Sequence, residues 1–421
     1  MSNVANLKFG KPGSDNKSQD LPGQTDIIQT AGGSPLQNMF LAFYLAIKEV
    51  LRNRGRFFLV SLVIALITLL VLFIAALGEG LANGNRQYVA NLDAQLIVFL
   101  EKSDFVISSS RLETNTARSI RRVDGVVDAG PIYTSSTEIV SLEEPLKVSM
   151  LAAEAGRPGM PALLEGQNFR SGQAREVVID RNVALRSGIK VGDEIEIRST
   201  QGVEDKFFTL KVIGLVDGQS YFFQPTIFVP PGTWENVRPQ TEADLNSDTP
   251  YPNIIAVKLA DPSQVDVVKA RLLTNVSNIE VTDIPATINN IPGYSAQQGT
   301  VQTQGFFTLL IGILVIGGFF QIQVLQKVPQ IGVLKAIGSS NEVVGWAAVI
   351  QIIAVTAMGV AIGGGLTYVF SLGFPPTIPL VFNGIRSLIA IALLLFIGPL
   401  GGMVSIIYAV RIEPLRALRL G

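Results

Sequence analysis

The sequence predicts an α-helical membrane protein with four transmembrane helices and a large α+β extracytoplasmic domain between helices one and two. Three observations carry this reading. Four strongly apolar stretches occur, near residues 57–77, 305–325, 344–370 and 385–410. Each is close to or above the ~20 residues that cross a bilayer as a helix. Long mixed sequence, residues 83–304, separates the first stretch from the second. The 421-residue chain is also 48% hydrophobic and 16% charged, below the ~25% charged of a soluble domain.

Composition narrows the function classes. A net charge of −1 gives no reason to expect a nucleic-acid partner. The chain has no cysteine and no histidine. That removes disulfides, thiolate nucleophiles, Cys-based metal sites and every Ser-His triad. No catalytic residue, metal site or bound cofactor is expected; a carboxylate-only membrane enzyme is a weak remaining option. No G-x-x-x-x-G-K-[ST] segment occurs. Active work would therefore need ATP hydrolysis in a separate subunit.

Residues 1–35 are polar and rich in Gly, Ser, Gln and Asp. They read as a disordered cytoplasmic tail with no cleavable signal peptide. In residues 36–56, Leu36, Phe40, Phe43, Tyr44, Ile47 and Leu51 recur at helical spacing, with Lys48 and Arg52 off that stripe. This is an amphipathic helix on the inner membrane surface, either an anchor or an arm that moves with a partner. The first span occupies 57–82.

The outer domain, 83–304, switches to short strands and helices. Segments 94–100, 126–127, 138–142, 253–259 and 278–282 have strand character, and 111–122 and 262–273 helical period. These flanks form βαβ pieces of one layer. Between them, about 150–250, lies an inserted β-rich subdomain with strands at 176–180, 194–198, 206–216 and 225–229. Pro230, Pro231 and residues 238–252 read as surface loop. Asp180, Asp193, Glu194, Glu196, Asp205 and Asp217 read as solvated charges. Tyr221, Phe222 and Phe223 are either core or an exposed anchor for a partner.

Spans two to four occupy 305–326, 341–370 and 385–410, with an outer loop at 371–384 and a cytoplasmic end at 411–421. Gly312 and Gly317 in span two, and Gly359 and Gly363 in span three, allow close helix packing. Gln321, Gln323 and Gln351 are the polar groups within spans. No ionisable relay accompanies them, which argues against ion-coupled transport. Pro399 predicts a kink in span four. Basic residues cluster at Lys48, Arg52, Arg54 and Arg56, at Lys327 and Lys335, and at Arg411, Arg416 and Arg419. All fall on one side if the four spans alternate, so both termini are cytoplasmic.

The linker 327–340 contains a short helix at 329–337. Pro329 is tolerated in its first turn and Gly338 ends it. Ser339 to Glu342 forms an S-x-x-E box opening the next helix. Ile331, Val333, Leu334 and Ile337 are many apolar residues for an idle loop. They suit insertion into another protein, or a position on lipid.

The run K-V-P-Q-I-G-V-L-K-A-I-G-S-S resembles the REIGVLKAIGAS-type coupling segment of the MacB/FtsX family of ABC permeases. The closing V-R-I-E-P-L-R-A-L-R and the early A-I-K-E-V-L-R-N-R-G-R-F resemble the same family. So do R-E-V-V-I-D-R-N-V-A and G-I-K-V-G-D-E-I-E-I in the outer domain. The likeness spans residues 40–420. It implies a type VII ABC assembly in a bacterial cytoplasmic membrane. A second permease chain, identical or not, pairs with this one. Two ATPase subunits bind beneath them and carry the ATP and magnesium. The family's coupling residues correspond to Ile331, Gly332, Val333, Leu334, Lys335, Ala336, Ile337 and Gly338. Motion passes from ATPase to outer domain, which in turn engages a periplasmic adaptor or an extracellular protein. Two departures stand out. No ATPase precedes the first span, as one does in MacB itself, and Val328, Pro329 and Gln330 replace a charged stretch. An FtsX-like permease that controls a cell-wall hydrolase and a LolC/E-like lipoprotein-release permease are the alternatives. An ATPase-independent receptor is the reading from another class.

Overall fold

The computed structural model describes residues 35–241, 251–374 and 380–412. Expectations for 1–34, 242–250, 375–379 and 413–421 lie outside the described residues. In chain order the elements begin with helices α1 (Pro35–Arg52) and α2 (Arg54–Ala90). Strand β1 (Leu96–Leu100), helix α3 (Thr116–Ile120), β2 (Val126–Ile139), β3 (Leu146–Ala153) and β4 (Glu165–Gly166) follow. Next come β5 (Glu176–Asp180), α4 (Arg181–Ser187), β6 (Glu194–Gln201), β7 (Glu204–Val216), β8 (Thr226–Val229) and α5 (Pro231–Val237). Then β9 (Ile254–Leu259), α6 (Val265–Asn275), β10 (Ile279–Asp283) and α7 (Ile284–Asn289) close the outer domain. The chain finishes with α8 (Tyr294–Gln326), α9 (Val328–Ala336), α10 (Asn341–Gly373) and α11 (Gly384–Val410).

Helices α2, α8, α10 and α11 are each long and apolar enough to cross a membrane. The chain forms two compact units. Of the described residues, one holds 35–59, 315–355 and 398–412; the other holds 60–241, 251–314, 356–374 and 380–397.

In the second unit, ten strands form one sheet in the order β10-β1-β9-β2-β3-β8-β5-β7-β4, with β6 paired to β2 and β7. Most pairs are antiparallel; β3–β8 and β5–β7 are parallel. The two flanks of the outer domain meet directly, because β1 lies between β9 and β10. Leu96, Val98, Ile120, Val257, Leu272 and Val281 share one core with α3 and α6. The middle strands build a second core around Ile139, Met150, Ile179, Ile197 and Val212. Strand β2 joins the two: its first half pairs β9 and its second half pairs β3. Segments 126–127 and 138–142, expected as separate strands, therefore belong largely to one.

Alternation explains β6. Its sequence Glu-Ile-Glu-Ile-Arg-Ser-Thr-Gln buries every second residue. Strand β3, absent from the sequence expectation, buries six consecutive residues, Val148 to Ala153. Its alternation runs only from Leu146 to Met150 and then gives way to Leu-Ala-Ala. The helix expected over 111–122 is confined to α3, and Pro262–Gln264 is a 3-10 turn ahead of α6. Pro230 and Pro231 do not form a surface loop. Pro231 opens α5, a position where its missing N–H costs nothing. Trp234 of α5 is buried beside Tyr133, ring centroids 5.1 Å apart, and its Nε1 donates to Ser135 Oγ at 3.0 Å.

Spans pack through glycine. A Cβ on Gly359 would stand 2.6 Å from Ile64 Cβ, and one on Gly363 2.6 Å from Thr68 Cβ, so α10 lies directly on α2. Gly312 of α8 faces Ile67 less tightly, while Gly364 and Gly365 meet open space. In the first unit, a Cβ on Gly317 of α8 would stand 2.6 Å from the Gly401 carbonyl oxygen of α11.

Asp180 corrects the expectation of solvated charges. It is fully buried at the start of α4, where Asn182 Nδ2 donates to it at 2.9 Å. Burial pushes its carboxyl up to about 6, against an ordinary value of 3.8. The folded state thus holds this proton more tightly than the unfolded chain. The associated stabilisation is fully present below about pH 4 and is lost as pH rises through about 6, on the order of 2–3 kcal/mol. Thermal unfolding of wild type and Asp180→Asn, followed by Trp234 fluorescence in a Trp346→Phe background, checks this. The difference in stability between the two should change across that window; a flat difference from pH 4 to 7 refutes it.

Candidate coupling site

Helix α9 has a proline at its start and a capped C-terminus. Pro329 stands in its first turn. At its end Gly338 has φ +107°, Gly338 N–H donates to the Lys335 carbonyl at 3.0 Å, and Ser339 N–H donates to the Leu334 carbonyl at 3.1 Å. That pair of bonds is a Schellman motif, which needs the left-handed residue that glycine supplies. The cap of α10 falls one residue later than expected. Ser340 Oγ, not Ser339, accepts from Val343 N–H at 3.3 Å, and Glu342 stands at the second helical position.

The four apolar residues singled out in the linker, three in α9 and Ile337 at its C-cap, divide between two faces. Ile331 and Leu334 turn inward against Val324, Val344, Ala409 and Ile412. Gly332 is buried. Val333 and Ile337 face out, 45% and 80% exposed. Lys335 reaches across to the end of α11. Its Nζ donates to the Val410 carbonyl at 2.6 Å and the Ile412 carbonyl at 3.0 Å. The ammonium thus binds two carbonyls at and just beyond the end of α11, where a cation is favoured. Partial burial pulls the Lys335 pKa below its ordinary value. Ala336 completes the last turn of α9.

A polar triad sits at the other end of α9. Lys327 forms an ion pair with Glu49 of α1. Gln351 of α10 donates to Glu49 Oε2 at 2.6 Å and accepts from Lys327 Nζ at 3.3 Å. The Lys327 ammonium also lies 5.7 Å from the centre of the Phe57 ring. Each member of the triad thus satisfies the other two. Sequence reasoning found Lys327 and Gln351 separately and missed Glu49. The available signal was that Glu49 is the lone acid in a strongly basic segment.

On α1 the stripe Phe40, Phe43, Tyr44, Ile47 and Leu51 is exposed, and Ala42 and Ala46 are the buried positions. Lys48 reaches the Tyr44 hydroxyl at 3.3 Å, and Arg52 ends the helix.

A second junction lies within the unit that holds the outer domain. Phe223 N–H donates to the Gly84 carbonyl of α2 at 2.7 Å, and Tyr88 N–H donates to the Ser220 carbonyl at 3.0 Å. Asn91 Nδ2 donates to the Gly218 carbonyl at 2.6 Å. Tyr221 is half-buried, while Phe222 and Phe223 are half-exposed in left-handed backbone. Nearby, Glu79 is buried and paired with both Arg86 and Arg386. Sequence reasoning did not register Glu79.

Four spans, a mixed α/β domain after the first, and a capped helix after the second define a polytopic membrane permease. Residues 57–274 match the family described as the MacB-like periplasmic core domain, and residues 304–414 match the FtsX-like permease C-terminal. The chain belongs to the MacB/FtsX family of ABC permeases. It is similar to a Staphylococcus haemolyticus protein assigned as a hemin transport system permease protein, HrtB. The two are 24% identical over 380 residues, covering 89% of this chain and 98% of that one. A Staphylococcus epidermidis protein of the same assignment is 22% identical over 376 residues, with the same coverage. Two solved structures resemble the outer domain. The extracellular domain of the noncanonic ABC-type transporter YknZ from Gram-positive bacteria is 14% identical, covers 45% of this chain and 99% of that one, and has a TM-score of 0.33. The periplasmic region of MacB from Actinobacillus actinomycetemcomitans is 15% identical, covers 48% and 92%, and has a TM-score of 0.33. Membership of an ABC permease family implies an ATPase partner.

The triad has an energetic signature. Glu49→Gln or Lys327→Met alone should destabilise the purified permease by about 1–3 kcal/mol, because each strands a half-buried charge. The double variant should cost less than the sum by about 1–2 kcal/mol. Thermal unfolding of all four proteins measures the coupling, and strict additivity would show that the triad is not a unit.

Proposed function

We propose that this chain is the permease subunit of an ABC exporter and relays ATP-driven motion from a separate ATPase to the outer domain. The observation that carries the reading is α9: closed at its C-terminus by a Schellman turn, anchored on one face by Ile331 and Leu334, and presenting Val333 and Ile337 on the other. Two copies of an ATPase, bearing ATP and magnesium, would seat these exposed residues. A second permease chain would pair with this one, and an adaptor or extracellular protein would meet the outer domain. The setting is a bacterial cytoplasmic membrane, with both termini and α9 inside. The basic residues flanking α1, α9 and α11 support that orientation.

Hemin is the cargo that the relatives' names offer. This chain has no histidine or cysteine for the iron, so tyrosine or methionine would have to serve. Signalling and lipoprotein release are the alternatives within the family, and no contact among the described residues of the outer domain favours either.

Orientation is tested with single cysteines, which the chain otherwise lacks. Val203→Cys, at an outer-domain turn and 87% exposed, should react with an impermeant maleimide in intact cells. Ser340→Cys should react only after lysis. The reverse pattern overturns the proposed topology.

Coupling is tested on α9 itself. Ile337→Asp should leave the permease folded and reduce co-purification of its ATPase by about tenfold or more. Leu334→Asp should instead lower permease stability, because that side chain packs inward. Normal ATPase association with Ile337→Asp would remove α9 as the docking element.

A further inference from the structure

A cavity of about 570 Å³ lies wholly within the first unit, between α1, α8, α9, α10 and α11. A little over half of its wall is apolar, with Leu45, Phe320, Val344 and Ile406 among the lining residues. Three cations line it, Lys48, Arg52 and Lys327, against one acid among the described residues, Glu49. Because Glu49 is engaged by Lys327, the side bearing Lys48 and Arg52 keeps an excess of positive charge. Gln323 supplies an independent sign of a missing occupant. It lines the same cavity, is 2% exposed, and its Nε2 has no acceptor. A buried amide donor without an acceptor is costly unless something fills the role.

Apolar depth, a cationic side and one unpaired donor together describe the complement of a membrane lipid. Acyl chains suit the wall, a phosphate suits Lys48 and Arg52, and an ester or hydroxyl oxygen suits Gln323. The exposed stripe on α1, which includes Phe43, Tyr44 and Ile47, places the same helix at an apolar boundary. We infer that this cavity binds one anionic phospholipid, drawn from the leaflet in which α1 lies, with its phosphate on Lys48 and Arg52. Such a lipid would touch α1 and the inward face of α9 together, since Ile331 and Leu334 also line the cavity. Its occupancy would therefore stiffen the seat of α9.

The test is native mass spectrometry of the full-length permease, purified in mild detergent and offered equal amounts of dioleoyl-phosphatidylglycerol and dioleoyl-phosphatidylcholine. Wild type should retain one phosphatidylglycerol in preference to phosphatidylcholine by about tenfold, the scale expected of two basic residues near a headgroup. Lys48→Glu/Arg52→Glu should bring the ratio near one. Ala348→Phe, which fills the wall and leaves every charge in place, should lower retention of both lipids. Millimolar inorganic phosphate should not displace the bound lipid, because the chains hold it. Gel filtration and helical circular dichroism establish that each variant is folded. Should the charge reversal fail that check, Lys48→Gln/Arg52→Gln reads the same contact. Equal retention of both lipids by wild type overturns the proposal. So does unchanged retention in Ala348→Phe, which would assign any preference to general surface charge. The assay reads purified protein and does not depend on which side of the membrane α1 occupies, so its failure is separable from failure of the proposed topology.

Discussion

Hydrocarbon offers no partner for a peptide group, so each span must stay helical until the chain has left it. The other features of this molecule are arranged around that constraint. Helix α2 has 37 residues, about 55 Å at 1.5 Å per residue, against a hydrocarbon core of about 30 Å. The surplus carries helical backbone into the outer domain's own loops. There, Gly84 C=O and Tyr88 N–H bond the segment around Ser220 and Phe223. They are an i, i+4 pair, the groups that bond each other in an uninterrupted helix. The loop is thus bonded to the helix backbone itself and not merely to its side chains. Helix α8 enters its span in the same manner, from Tyr294, which packs with Ala82 and Ile291.

The same constraint governs where charge is allowed. Two sets of ionised groups stand paired at the ends of spans. Glu79 engages Arg86 and Arg386, and Lys327 engages Glu49 and Gln351. A half-buried ion pair is a modest stabiliser at best, since desolvation offsets much of its attraction. Its stronger effect is on geometry, because breaking it strands a charge. The triad fixes α1 against the start of α9 and against α10. What the described spans carry instead of charge is glycine. Gly359 and Gly363 let α10 touch the backbone of α2, where close van der Waals contact replaces the hydrophobic effect that lipid cannot supply.

Much of this was legible in the sequence, and the parts that were not share physical reasons. The four spans, the position of the outer domain and the end of α9 at Gly338 follow from local signals: length, hydropathy and a left-handed glycine. Strand β6 was legible because its two faces differ, one wet and one dry. Strand β3 was not, because its alternation ends at Met150 and the Leu-Ala-Ala that follows has weak strand preference. Asp180 and Glu79 look like any other acids in a one-dimensional reading; only the fold decides that neither reaches solvent. The division of α9 was hidden for a related reason. Ile331, Val333, Leu334 and Ile337 are equally apolar, and the packing of α11 and α10 decides that two of them turn inward. In the linker after α8 the short helix was legible, but the Glu49–Lys327–Gln351 closure was not, since its members lie far apart in the chain.

The division of α9 bears on how a push could travel under the proposed mechanism. A flexible linker would absorb displacement in its own torsions. Helix α9 has few free torsions to offer: Pro329 stiffens its start, the Schellman closure fixes its end, and Ser340 begins α10 two residues after Gly338. Force applied at Val333 and Ile337 would therefore leave through its attachments. Two are covalent, to α8 and α10. Besides the apolar packing of Ile331 and Leu334, two are polar: Lys335 holds carbonyls at the end of α11, and Lys327 holds α1 through Glu49. The covalent routes are obligatory in any protein with this linker. The two lysine contacts are specific to this arrangement, and they make displacement of α9 a displacement of α1, α8, α10 and α11 together. Removing either lysine would leave a permease that still seats its ATPase but transmits less of the stroke.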